Sequence, residues 1–164
     1  MDPKLLKKID SKTGILICGH GSRRNSAVKE FAELSYLIKQ NLNGIPLEFG
    51  YLEFARPIIS QALDKLLDNS VEKIIAIPAM LFAAGHAKND IPALLNNYST
   101  QKQIKIIYGR ELGINNTMIG AAGARVKEVL DQNSSLKPSE TLLVVVGRGS
   151  SDPDANSNIS KITR

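Results

Sequence analysis

Cysteine is all but missing from this chain. Cys18 is the only one in 164 residues, so no intrachain disulfide and no cysteine-only metal cage can form. Any metal must lean on histidine, carboxylate or substrate. No run approaches the ~18 to 20 uninterrupted apolar residues of a membrane span, and the opening ten residues lack the apolar core of a secretory signal. A cytoplasmic protein with no membrane partner is the expectation. Aromatic residues make up only 5% and the cations are scattered, which argues against a nucleic-acid stripe, where clustered bases alternate with aromatic platforms. The surplus of 21 Lys and Arg over 16 Asp and Glu, a net charge of +5, instead favours a small acidic ligand, a polycarboxylate or phosphorylated compound. What remains is ordinary: 43% apolar and 23% charged residues over about one domain's length describe a packed globular chain.

Hydrophobic period then sorts the chain into elements. Residues 14–18 form a short apolar run that ends in Gly19-His20-Gly21-Ser22, a buried strand followed by a glycine-rich turn. Asn25 or Ser26 is placed to cap a helix whose stripe is Val28, Phe31, Leu34, Ile38 and Leu42. Asn43-Gly44 closes that unit, and residues 47–54 alternate as a second strand. Pro57 suits the first turn of a second helix with Ile58, Ile59, Ala62, Leu63, Leu66 and Leu67 inward. Residues 73–78 are apolar on both faces, as a central parallel strand requires, with Pro78 at its end. A loop over 83–90, a short helix to about Tyr98, a fourth strand over 104–108 and a helix over 115–130 with Ile119, Ala122, Val126 and Val129 inward complete the pattern. Strands alternating with helices imply a three-layer α/β fold, a parallel sheet flanked by helices in the flavodoxin-like manner. Ligands of such sheets bind beyond the strands' carboxyl ends.

The first unit then begins again. Residues 142–150 run through an apolar stretch into Gly147-Arg148-Gly149-Ser150, which echoes Gly19-His20-Gly21-Ser22 at an offset of 128 residues. Asn156-Ser157 stands where Asn25-Ser26 stood, shifted by three, and Ile159 and Ile162 start a helical stripe. Either a second unit starts here, or a last strand completes the sheet of the first; a chance match is the third alternative, since apolar strands ending in Gly-x-Gly are common. The division expected is an N-terminal extension over 1–13, an α/β domain over 14–135, and a linker with the first strand and helix of an incomplete repeat over 136–164. Arg148 stands in place of the histidine, so one chemical site per pair of units is expected.

Both histidines lie at strand ends. His20 sits between two glycines, where backbone can approach a ligand, and His86 follows the small-residue loop Ala83-Ala84-Gly85. The residues alone leave open a capping or surface histidine at either place. Adjacent parallel strands are ~4.8 Å apart, so their end loops can face each other and the two imidazoles can share a metal. Imidazole suits zinc, cobalt, iron and nickel, and two histidines leave most positions open, so such a metal is transient or shared with a substrate. Glu53, on the second strand at the same end, can orient an imidazole or take a proton, or be a solvated terminus. Arg23, Arg24, Arg56 and Lys88 flank this end and suit a carboxylate-rich ligand. Cys18 reads as core. Gly19-His20-Gly21 is no phosphate loop, because the Lys and Thr of that motif are missing, and no nucleotide is expected.

Four separated segments now carry a resemblance. Residues 19–23 (GHGSR), 52–57 (LEFARP), 78–92 with AGHAKNDIP at their end, and 146–156 (VGRGSSDPDAN) together resemble the sirohydrochlorin cobaltochelatase family, a class II chelatase family. The resemblance spans nearly the whole chain. It implies a chelatase-type α/β domain, single in short forms that dimerise and doubled in long forms, so a homodimer is one expectation and a first half plus the start of a second is the other. It implies insertion of cobalt(II) into sirohydrochlorin for cobalamin synthesis, with iron insertion for siroheme as the close relative and nickel(II) as another metal imidazole accepts. A non-catalytic metal- or tetrapyrrole-binding module is the competing class. By the same resemblance His20 and His86 are metal ligands and His20 is also the proton acceptor, while Arg56, Leu81, Phe82, Ala83, Ala84, Gly85 and His86 contact substrate. Many members carry a carboxylate where this chain has Arg56, and Glu53 is the candidate for that role.

Overall fold

A computed structural model describes residues 9, 10, 12–133 and 135–163. The expected N-terminal extension therefore lies mostly outside the described residues. Four strands make one parallel sheet: β1 (Thr13–Gly19), β2 (Leu47–Tyr51), β3 (Lys73–Pro78) and β4 (Lys105–Tyr108), in the spatial order β2-β1-β3-β4. The helices between and after them are α1 (Asn25–Gln40), α2 (Ile59–Asp68), α3 (Ile91–Lys102), α4 (Asn116–Gln132) and α5 (Pro153–Ile162).

β1 is buried along its whole length because both its faces are covered. Successive side chains of a strand point to opposite faces. Leu16 and Cys18 accordingly enter one core with Ile59, Leu63, Leu66, Ile74, Ile91 and Leu95, while Ile15 and Ile17 enter the other with Leu42, Leu47, Phe31 and Phe49. Burial pushes the Cys18 thiol up to about 12, so this thiol is core material, as expected. Among the described residues no helix is long and apolar enough to cross a membrane.

The strand order matters most for the site. The chain leaves β1 for β2 on one side, then returns to β3 on the other, so the direction of winding reverses at β1. In open α/β sheets the crevice beyond the carboxyl ends at such a reversal is where ligands bind. His20 follows β1, and the loop leading to His86 follows β3.

Several expectations need correction. The second strand stops at Tyr51, not at 54, because Phe54 takes a left-handed φ of +62° that no strand continues through. Neither Asn25 nor Ser26 caps α1, whose first turn has no side-chain cap, and Leu34 on its expected inner stripe is exposed. α2 begins two residues beyond Pro57, where the Gln61 side chain accepts from the Ile58 N–H at 3.1 Å. Residues 86–90 are no open loop: His86–Asp90 wind as a single π-helical turn into α3, which runs on to Lys102. α4 buries none of its residues, and Ile119 and Val129 are exposed. The edge strand β4, four residues long, cannot cover a helix of seventeen.

Residues 141–150 do not complete this sheet. They carry no strand, and Leu142 and Val146 are 85% and 87% exposed. A strand exists only where neighbouring backbone satisfies its N–H and C=O groups. Among the described residues this segment has no such neighbour. α5 does form, capped by Asp152, whose carboxylate accepts from the Asp154 and Ala155 N–H groups.

Candidate functional site

Backbone constraints set the first imidazole. After β1 the chain turns at Gly21, φ +95°, where a Cβ would stand 1.7 Å from the Glu53 carbonyl oxygen. Only glycine fits. That close approach lets the two loops run side by side, with the Leu52 N–H donating to Gly19 O at 2.8 Å and the Glu53 N–H to His20 O at 3.1 Å. His20 and Glu53 are thus held by hydrogen bonds between their own main chains.

The second imidazole comes from the other side of β1. The ladder continues past Pro78, as the Ala79 N–H donates to Cys18 O at 2.9 Å. The loop that follows is tied to the chain after β4 by Leu112 N–H to Met80 O at 3.0 Å and Gly113 N–H to Leu81 O at 2.8 Å. The π-helical turn is fixed from below by the Tyr108 hydroxyl, which donates to Ala87 O at 2.9 Å. His86 stands at the start of that turn and Asp90 at its end.

The result is a cluster of three donors. Ligand atoms of His20, Glu53 and His86 all lie within 4.8 Å of one another. His20 Nε2 is 3.6 Å and His86 Nε2 4.0 Å from Glu53 Oε1, and the two rings meet edge-on at 86° with centroids 4.6 Å apart. Ligands of a tetrahedral ion with bonds of ~2.1 Å stand roughly 3.4 Å apart, so a small contraction closes this set around a cation. The side chains are 37%, 38% and 44% exposed, which leaves the remaining coordination positions accessible.

Hydrogen bonds also choose the tautomers. His20 Nδ1 lies 3.2 Å from Gly21 O, and a carbonyl only accepts, so Nδ1 carries the proton and the Nε2 lone pair is free. His86 Nδ1 lies 2.6 Å from Asp90 Oδ2, which again leaves Nε2 as the lone-pair atom. Both free nitrogens are the ones that face Glu53. A carboxylate behind a ligating imidazole fixes its orientation and raises its basicity. Asp90 is not among the residues the sequence singles out, although its spacing of four from His86 is the signal that a helical turn gives.

Other expected residues are distributed around this cluster. Arg56 is exposed and lines a cavity of about 230 Å³ with Phe54, Ala55 and Ile58, outside the donor set. Leu81 is exposed; Phe82, Ala83 and Ala84 are half-buried on the approach to Gly85 and His86. Lys88 is not a free cation: its ammonium is bonded to Asp152 and lies 3.8 Å from Asp154. Arg23 rests its guanidinium 4.8 Å from the centroid of the Phe54 ring. An apolar cavity of about 520 Å³ lies between α4 and residues 136–143 and shares no residue with the cluster.

The CbiX family model matches residues 14–129. The chain belongs to the CbiX family. This CbiX-family chain is 34% identical over 152 residues to the sirohydrochlorin cobaltochelatase of Priestia megaterium, covering 92% of this chain and 49% of that protein. It is 28% identical over 165 residues to the sirohydrochlorin ferrochelatase of the same organism, of which it covers 60%. A shorter relative, the sirohydrochlorin cobaltochelatase of Sulfurisphaera tokodaii, is 34% identical over 122 residues, which are 71% of this chain and 93% of that protein. The solved structure of SirB from Bacillus subtilis with Fe3+ superimposes with a TM-score of 0.81 at 29% identity over 92% of this chain and 58% of that one. The chain thus spans about half to three-fifths of the longer proteins it matches.

Proposed function

We propose that this CbiX-family chain inserts a divalent metal, cobalt(II) first, into sirohydrochlorin. The observation that carries the reading is the convergence of His20, Glu53 and His86 donor atoms within 4.8 Å at the winding reversal of the sheet. Family membership supports the chemistry, and the names of the relatives supply the substrate.

Metallation has three requirements. Water must leave the ion, two pyrrole protons must leave the macrocycle, and the ring must be held against the ion. Three side-chain donors replace part of the hydration shell and leave positions open for the incoming pyrrole nitrogens. As the ion passes to the ring, His20 Nε2 is released as a lone pair beside the protons to be removed. A neutral imidazole near pH 7 serves in turn as ligand and as base. The Glu53 carboxylate, 3.6 Å away, is the second acceptor in reach. No redox step and no nucleotide enter the sequence. The half-buried loop over 82–84 gives a flat ring room to lie close to backbone.

Iron(II) is the second reading, favoured by the ferrochelatase of Priestia megaterium and the iron-bound SirB among the chain's relatives. Imidazole and carboxylate accept either ion. The test is to mix the protein with metal-free sirohydrochlorin and cobalt(II) or iron(II) and follow the absorbance change against a protein-free control. Acceleration is expected, faster with cobalt, and His20→Ala should slow it by about a hundredfold or more. A folded protein that binds metal but accelerates insertion of neither ion would reduce it to a binding module.

A further inference from the structure

Phe54 stands out because neither hydrophobic core includes it. Its backbone takes φ +62°, a region that strains a bulky L-residue, and its side chain is 52% exposed. The strained backbone opposes the folded state, and a ring left half in water offsets only part of that cost. The ring is spent on neither core. It runs nearly parallel to the His20 imidazole, at 24° with centroids 6.2 Å apart, and Arg23 lies over it at 4.8 Å.

We propose that Phe54 and Arg23 form the substrate-recognition shelf of the site, Phe54 contacting the tetrapyrrole plane and Arg23 one of its peripheral carboxylates. This rests on the reading of the chain as a sirohydrochlorin chelatase. The orientation follows from the imidazole. Nε2 of His20 lies in the plane of its ring, so an ion on that nitrogen and at the centre of a macrocycle sets the macrocycle across the imidazole plane. A phenyl ring parallel to the imidazole then meets the macrocycle edge-on, displaced sideways from the ligand axis. Edge-to-face contact places the positive rim of one π-system on the negative face of the other, the geometry aromatic pairs favour. The Arg23 guanidinium, already stacked on the phenyl ring, is carried beside the macrocycle's rim, where bidentate pairing with a carboxylate is available.

The experiment compares wild type with Phe54→Gly, Phe54→Tyr and Arg23→Met. It measures the thermal midpoint, cobalt(II) affinity of the protein alone by calorimetry, and the affinity for metal-free sirohydrochlorin by its absorbance and fluorescence. Phe54→Gly relieves the left-handed strain, so its midpoint should hold or rise, while sirohydrochlorin binding weakens by about tenfold and cobalt(II) binding stays unchanged. Phe54→Tyr should rescue sirohydrochlorin binding to within about twofold, and Arg23→Met should weaken it by about fivefold. A falling midpoint with unchanged sirohydrochlorin affinity in Phe54→Gly would make the residue structural and overturn the proposal. Equal losses of cobalt(II) and sirohydrochlorin would overturn it too, because Phe54 would then act through His20. Wild type that binds cobalt(II) but no sirohydrochlorin would remove the chelatase reading itself, an outcome distinct from either.

Discussion

Two stretches of this chain share a pattern and differ in what it becomes. Residues 15–22 and 142–150 each run from apolar residues into Gly-x-Gly-Ser, and in both the second glycine has positive φ, +95° at Gly21 and +76° at Gly149. Each is followed closely by a helix, α1 or α5. Yet β1 is the most buried strand of the sheet, while Leu142 to Val146 carry no pairing and face solvent. The turn is therefore a local property of Gly-x-Gly-Ser, and the strand is not. Ladder partners decide it, and β1 has one on each side.

Glycine substitution probes this difference most strongly. At Gly21 an alanine Cβ would collide with the Glu53 carbonyl, whereas at Gly149 nothing lies within 4 Å. Left-handed strain costs about 1–2 kcal/mol at either position. Overpacking adds about 1–3 kcal/mol only at the first. Gly21→Ala should therefore lose about 3 kcal/mol in urea denaturation and Gly149→Ala about 1 kcal/mol. Equal losses would mean that the approach of the two loops around Glu53 does not distinguish the regions.

The comparison also shows what was legible beforehand. β1 and β3 could be read because apolar runs bounded by glycine and proline have few other uses, and the parallel sheet with His20 and His86 at its crevice followed from the strand-helix alternation. Residues 142–146 looked equally like a strand, since composition records burial potential and not the presence of a neighbour. Phe54 was invisible as a left-handed residue, because phenylalanine does not signal positive φ as glycine or asparagine does. Asp90 carries no signal in a loop, where a spacing of four has no geometric meaning; in the π-helical turn that spacing puts the carboxylate 2.6 Å from His86 Nδ1.

Chemistry separates the two regions as sharply as packing does. The first ends in His20, which faces Glu53 and meets a second imidazole, His86, oriented by Asp90 from the turn after β3; the second has Arg148 where His20 stands. Removing the orienting carboxylate should weaken the donor set that His20 completes. Asp90→Ala is expected to weaken cobalt(II) binding by about 10- to 100-fold in a calorimetric titration, with Asp90→Asn, which keeps an acceptor oxygen, losing less. Unchanged affinity in Asp90→Ala would show that the π-helical turn alone orients His86.

The smallest effect belongs to Lys88, whose ion pairs with Asp152 and Asp154 tie the turn that carries His86 to the helix that follows the second region. Lys88, inside the turn that carries His86, bonds Asp152, which also caps α5. The hydrogen bond from Lys88 holds the Asp152 carboxyl below its usual range, and the bond to Asp152 holds the Lys88 ammonium above its own. A lowered carboxylate pKa contributes stability above the unfolded-state value and loses it as pH falls through the folded one; a raised lysine pKa contributes below the unfolded-state value and loses it as pH rises through the folded one. The tie is complete across neutral pH and fails at both extremes. Asp152→Asn keeps a good helix cap while removing the charge, so it isolates the pair from the cap. Because Lys88 is 42% exposed, screening leaves a modest effect, a loss of cobalt(II) affinity of no more than about threefold at neutral pH, vanishing in high salt. A larger loss that persists in high salt would mean that residues 150–155 hold the turn that carries His86 by packing, and that the two parts are mechanically one.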